Sequence, residues 1–139
     1  MQGIGGKTMK LIHASGTRKR AVARATLYPG EGNIKINNKP LLNFEPEFIR
    51  LKLAEPLILS GDISKEVDIN VRVFGGGINS QAEASRLAIA KALAKFDKKL
   101  EKVYLDYDRL LLVADVRRKE THKPNRHGKA RAKVTKSYR

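Results

Sequence analysis

The chain has no cysteine and no tryptophan. Without cysteine there are no disulfides and no cysteine-ligated zinc. No apolar run approaches the ~20 residues of a membrane span, and MQGIGGKTMK at residues 1–10 lacks the apolar core of a secretory signal. Acidic residues are scarce too: 14 Asp and Glu stand against 29 Lys and Arg, a formal charge of +15. An excess of that size points to a polyanion, either nucleic acid or an anionic membrane surface.

The excess is uneven. Residues 117–139, RRKETHKPNRHGKARAKVTKSYR, hold ten Lys or Arg and one acid, Glu120, a net +9. The preceding 116 residues hold 19 basic and 13 acidic side chains, a net +6. In the terminal segment only Val134 and Tyr138 offer sizeable apolar surface. Such a segment cannot bury enough to offset its ordering entropy, and it repels itself. It is expected to be disordered until a polyanion neutralises it. It has no apolar face to insert into lipid, which favours nucleic acid over membrane. Fully extended at ~3.3 Å per residue, it could reach up to roughly 75 Å.

The body reads as one α+β domain, a β-sheet with packed helices. Met9 to Ala14 and Ala21 to Tyr28 are strand candidates joined by GTRKR. Pro29-Gly30-Glu31-Gly32 marks a turn, Asn33 to Asn37 alternates, and Asn37-Asn38-Lys39-Pro40 marks another, so the region reads as a β-meander. Pro46 suits the first turn of a helix carrying Phe48, Ile49 and Leu53, which Pro56 is expected to break or bend before Ser60-Gly61. From Glu66 to Phe74, Val67, Ile69, Val71 and Val73 alternate with polar residues, as in a half-buried strand.

A strong helix is expected from about Ser80 to Phe96, opened by a Ser80-x-x-Glu83 capping box. Ile78, Ala82, Ser85, Ile89, Leu93 and Phe96 form its inner stripe. Its alanines permit close approach to a sheet, and Arg86, Lys91 and Lys95 are left for the outer face. A second helix is expected from roughly Asp106 to Ala114. The division is a leader at 1–8, with the start at either Met1 or Met9, a globular domain at 9–116 and a basic tail at 117–139.

Three motifs carry chemistry. In the tail, Lys and Arg recur every two to four residues, a spacing that suits phosphate neutralisation, with Arg able to grip two oxygens. Gly16-Thr17-Arg18-Lys19-Arg20, with Arg24 on the adjoining strand, reads either as a basic hairpin loop or as a phosphate-contacting edge. Gly75-Gly76-Gly77 reads as a sharp strand-to-helix turn, with a phosphate-touching helix N-terminus as the alternative; no Walker or GxGxxG pattern follows it. His122 and His127 lie in a basic segment that disfavours a metal cation. No Ser-His-Asp, paired-carboxylate or metal-ligand constellation stands out, so neither metal, cofactor nor enzymatic activity is expected. Asp106 and Asp108 suit helix capping.

Together these residues resemble the small-subunit ribosomal protein uS9 family. The matching stretches are GTRKRAVARATLYPGEGNIKINNKP at 16–40, VFGGGINSQAEASRLAIAKAL at 73–93 and KARAKVTKSYR at 129–139. The KSYR ending looks like the archaeal or eukaryotic cytosolic branch. The resemblance implies a two-layer sandwich of the kind seen in the second domain of the fifth small-subunit protein. It also implies a place in the head of the small subunit of a cytoplasmic ribosome, beside neighbouring head proteins. The body would bind the 3′ major domain of the small-subunit rRNA. By position, the rRNA-facing residues would be Arg18, Lys19, Arg20, Arg24, Arg117, Arg118, Lys119, Lys123, Arg126, Lys129, Arg131 and Lys133. Lys136, Ser137, Tyr138 and Arg139 would meet the anticodon stem-loop of peptidyl-site tRNA during translation. Two rival readings compete with this ribonucleoprotein role: an enzyme using the glycine turn as a phosphate cradle, and a free-standing nucleic-acid chaperone.

Overall fold

The computed structural model describes residues 11–43 and 47–114. The leader, Met9, Pro46 and the basic tail lie outside these residues, and the expectations attached to them lie outside with them. Among the described residues five strands are formed: β1 (Ile12–Arg18), β2 (Ala21–Pro29), β3 (Ile34–Ile36), β4 (Lys39–Pro40) and β5 (Val67–Phe74). The same residues form three helices: α1 (Glu47–Ser60), α2 (Ile78–Phe96) and α3 (Lys99–Tyr107). Short 3-10 turns occupy Leu41–Asn43, Gly61–Lys65 and Arg109–Leu111.

The sheet is mixed, in the order β1-β2-β5-β3-β4, with β3 parallel to β5 and the other pairs antiparallel. The α+β class is as the alternation predicts, but the simple meander is not, because β5 enters between β2 and β3. The cause lies in β5 itself. Val67, Ile69, Val71 and Val73 are all buried, and a central position gives that row cover and its backbone groups partners on both sides. The two-residue strand β4 is left at one edge, where little unpaired backbone is exposed.

β1 starts later than its apolar residues suggest and runs on through Arg18, which pairs with Ala21. The hairpin loop is therefore only Lys19-Arg20, with Lys19 in the left-handed region at φ 54. Gly16 is consequently a strand residue and not part of the turn. A Cβ there would run into the backbone of Ala84 and Ala88 on α2. Glycine at this position lets the helix lie directly against the strand.

α2 covers this face with small side chains. Ala82, Ala84, Ala88, Ala90 and Ala92 are buried, as are Ala21, Ala23 and Ala25 of β2. Ile78 and Phe96, at the ends of the expected inner stripe, are exposed. The helix begins at Ile78 with Gly77 as its cap and no side-chain capping bond. Ser80 and Glu83 form no capping box, because Ser80 already lies inside the helix; two cations hold the Glu83 carboxylate instead, Arg18 at 2.6 Å and Lys52 at 3.2 Å. An ion pair of that length is stronger than a bond to one backbone amide.

α1 continues through Pro56, so of the break or bend expected there the break does not occur. Proline removes one backbone donor, but here its ring is buried and its carbonyl accepts a 2.8 Å bond from the Tyr104 hydroxyl. Burial pushes the Tyr104 phenol well above its ordinary range. Arg86, expected on the outer face, instead joins elements: its guanidinium reaches Glu55 at 2.7 Å and Asp108 at 3.3 Å. α3 starts and ends earlier than the expected Asp106–Ala114 helix, and just before it the Asp97 carboxylate accepts from the Lys99 amide at 3.0 Å. Asp108 accepts from the Leu110 amide and opens the following 3-10 turn, while Asp106 lies within α3.

Candidate nucleic-acid interface

The helices lie on one face of the sheet, and the alternate residues of the same strands form the other. On this open face the register aligns four rungs across β1, β2 and β5. Thr17, Val22 and Phe74 make the first; Ser15, Arg24 and Arg72 the second. His13, Thr26 and Asn70 make the third, and Tyr28 with Asp68 the fourth.

The second rung sets Arg24 directly opposite Arg72, both exposed. Like charges facing across strands cost roughly 0.2–1 kcal/mol. Among the described residues, neither arginine has a carboxylate partner. Asp68 is the one acid on these rungs, and its carboxylate is already engaged. Its Oδ1 accepts from the amides of Glu31 at 2.9 Å, Gly32 at 3.1 Å and Asn33 at 2.9 Å. The Asn33 amide chiefly, then those of Glu31 and Gly32 and the Lys35 charge, hold the carboxyl below its ordinary 3.8 despite opposing desolvation. The acid thus fixes the loop between β2 and β3 and leaves the arginines unneutralised.

Around the arginines lies a shallow depression of about 580 Å³, bordered by Ser15, His13, Thr26, Asn70 and Lys95. Thr26 Oγ1 and His13 Nδ1 lie 3.3 Å apart. Lys95 reaches round the edge strand from α2 and donates to the His13 carbonyl at 2.8 Å.

The four basic residues predicted in the body divide three ways. Arg18 turns to the helix side, where Glu83 holds it. Lys19 and Arg20 are exposed at the hairpin tip, and Arg24 belongs to the open face. The glycine run makes a sharp turn: Gly75 and Gly76 take φ 79 and 65, and a Cβ on Gly75 would strike the Arg20 carbonyl. Gln81 closes the turn by donating its side-chain amide to the Gly75 carbonyl at 3.0 Å. The predicted tail residues, Arg117 to Arg139, lie outside the described residues.

Arg72, Asn70, His13 and Lys95 are additions that sequence reasoning missed. Alternation places Arg72 opposite the apolar row of β5, but only the pairing of β2 with β5 sets it beside Arg24. Among the described residues, no group of three or more His, Asp or Glu side chains could hold a metal ion, and no helix is long and apolar enough to cross a membrane.

Residues 16–139 match a family model described as Ribosomal protein S9/S16. Proteins named small ribosomal subunit protein uS9 from Methanococcus maripaludis strains C5 and C7 are 49% identical to this chain over 134 residues. The same protein from Methanococcus vannielii is also 49% identical. In each case the match covers 94% of this chain and 100% of the relative.

Proposed function

The chain belongs to the ribosomal protein S9/S16 family, and from that membership we propose that it is a structural constituent of the small ribosomal subunit, anchored in the head of a cytoplasmic ribosome by rRNA. The observation that carries this reading is the extent of the match. It runs from Gly16 through the body to Arg139 and so includes the segment of charge +9. In the body, the exposed hairpin tip at Lys19 and Arg20, together with Arg24, supplies cations to the 3′ major domain, and Arg18 adds to them from its place beside Glu83. In the tail, Arg117 to Lys133 neutralise phosphates that rRNA folding brings together, a task a thin chain performs where a folded domain cannot enter. Lys136, Ser137, Tyr138 and Arg139 meet the anticodon stem-loop of peptidyl-site tRNA. Contact with phosphate and ribose alone reads no sequence, which suits a site that must accept every tRNA. The role is structural rather than catalytic, with rRNA, tRNA and neighbouring head proteins as partners.

Sedimentation of a cell lysate through a high-salt gradient tests the assignment. One copy per small subunit, retained at high salt, is the expected result; a wholly soluble pool would refute it and favour the chaperone reading. Deleting residues 136–139 is expected to leave subunit assembly intact and to weaken peptidyl-site tRNA retention. Unchanged tRNA affinity in the truncated subunit would remove the tail end from the tRNA site.

A further inference from the structure

We infer that the open face of the sheet is the body's main phosphate-binding surface, and that the Arg24–Arg72 rung grips the RNA backbone there. The inference rests on the RNA-binding reading above and names the place where the body carries it out. Four observations converge on one spot. Arg24 and Arg72 are exposed and directly opposed across β2 and β5. Among the described residues no carboxylate neutralises either of them, and Asp68, the acid on the same face, is occupied by three loop amides. The surface between the arginines and Lys95 is a depression and not a ridge. Exposed Phe74, one rung away, offers an aromatic surface.

The chemistry follows from these positions. Two guanidinium forks on adjacent strands can each donate two parallel N–H bonds to phosphate oxygens. Their mutual repulsion in the free protein is relieved when an anion lies between them. Ser15 and Thr26 add neutral hydroxyl donors beside the pair, and Phe74 can stack on an unpaired base. The target is therefore an irregular or single-stranded stretch of rRNA backbone. Arg18, held by Glu83 on the opposite side, contributes nothing to this grip.

The test measures binding of the full-length chain to an in vitro transcript of the 3′ major domain across a salt titration. R24Q/R72Q is compared with K98Q/K102Q, which removes the same charge from exposed helix-side positions. R24Q/R72Q is expected to weaken binding about tenfold or more and to lower the slope of log affinity against log salt by about 1.4. The free variant should unfold at the same or a higher denaturant midpoint, which separates lost contact from lost folding. The control pair should change affinity far less. Equal losses from both pairs would reduce the effect to net charge and overturn the inference. Unchanged RNA affinity with lost incorporation into reconstituted subunits would also overturn it, by assigning the face to a protein partner. A chain lacking residues 117–139 separates the two levels. If that deletion weakens binding and R24Q/R72Q does not, only the sheet-face site falls. If neither change matters, the rRNA reading falls with it.

Discussion

The two faces of the sheet are made from alternate residues of the same three strands, yet volume governs one and charge the other. On the covered face, Ala21, Ala23, Ala25 and Leu27 of β2 lie beside Val67, Ile69, Val71 and Val73 of β5, all nearly or fully buried. Gly16 is reduced to a hydrogen on this face because the backbone of α2 passes against it. On the open face, Arg24 sits against Arg72 and gains nothing from it. One face is packed to hold the domain together, and the other sets two like charges side by side in solvent. Strained or mutually repelling groups that persist in a stable domain commonly mark where function resides.

Adjacent residues on β5 give the strongest way to break this contrast. Ile69→Ala should cost about 2–5 kcal/mol, since it leaves a cavity in a row with no room to collapse. Asn70→Ala, one residue on and facing solvent, should cost under about 0.5 kcal/mol. Denaturant unfolding of the two variants checks the ratio, and comparable losses would mean the open face is packed against something in solution. Gly16→Ala comes next, at roughly 1–3 kcal/mol, because α2 must move away from β1 to admit a methyl group. A gain in stability from that change would show that the helix yields freely.

A milder loss than that at Gly16 sharpens the comparison from the open side. Asp68→Asn should cost about 1 kcal/mol at neutral pH by weakening three charge-assisted bonds to the loop. Because the carboxyl is held below 3.8 in the folded chain, its contribution is present above that value and is lost as pH falls through the lower, folded one. The parent should therefore lose stability more steeply than the variant in acid, as thermal unfolding at several pH values would reveal. Parallel curves would remove Asp68 as the loop's lock.

Much of the covered face was legible in the sequence, because alternation and three- to four-residue spacing are local. Val67 to Val73, the buried alanines of α2 and the turns at Gly30 and Gly75 fall where those rules place them. What the rules missed depends on residues far apart in the chain. Nothing near β5 says that it pairs with both β2 and β3, so the meander was the simplest reading. Glu83 fits a capping box by spacing, but Arg18 and Lys52 arrive from other elements to claim it. Arg86 has the spacing of an outward residue until Glu55 and Asp108 converge on it. The candidate site divides along the same line. Its basic character is visible in composition and its hairpin tip in local sequence, whereas the pairing of Arg24 with Arg72 exists only after the register is set.

Lys95 has a consequence beyond the depression it borders. β1 ends the sheet, and an unpaired strand edge invites another strand to extend it. A second copy docking there would find the His13 carbonyl already bonded and an ammonium group beside it. Each copy also carries +15. That single side chain leaves one backbone acceptor fewer for a docking strand and sets a charge beside it.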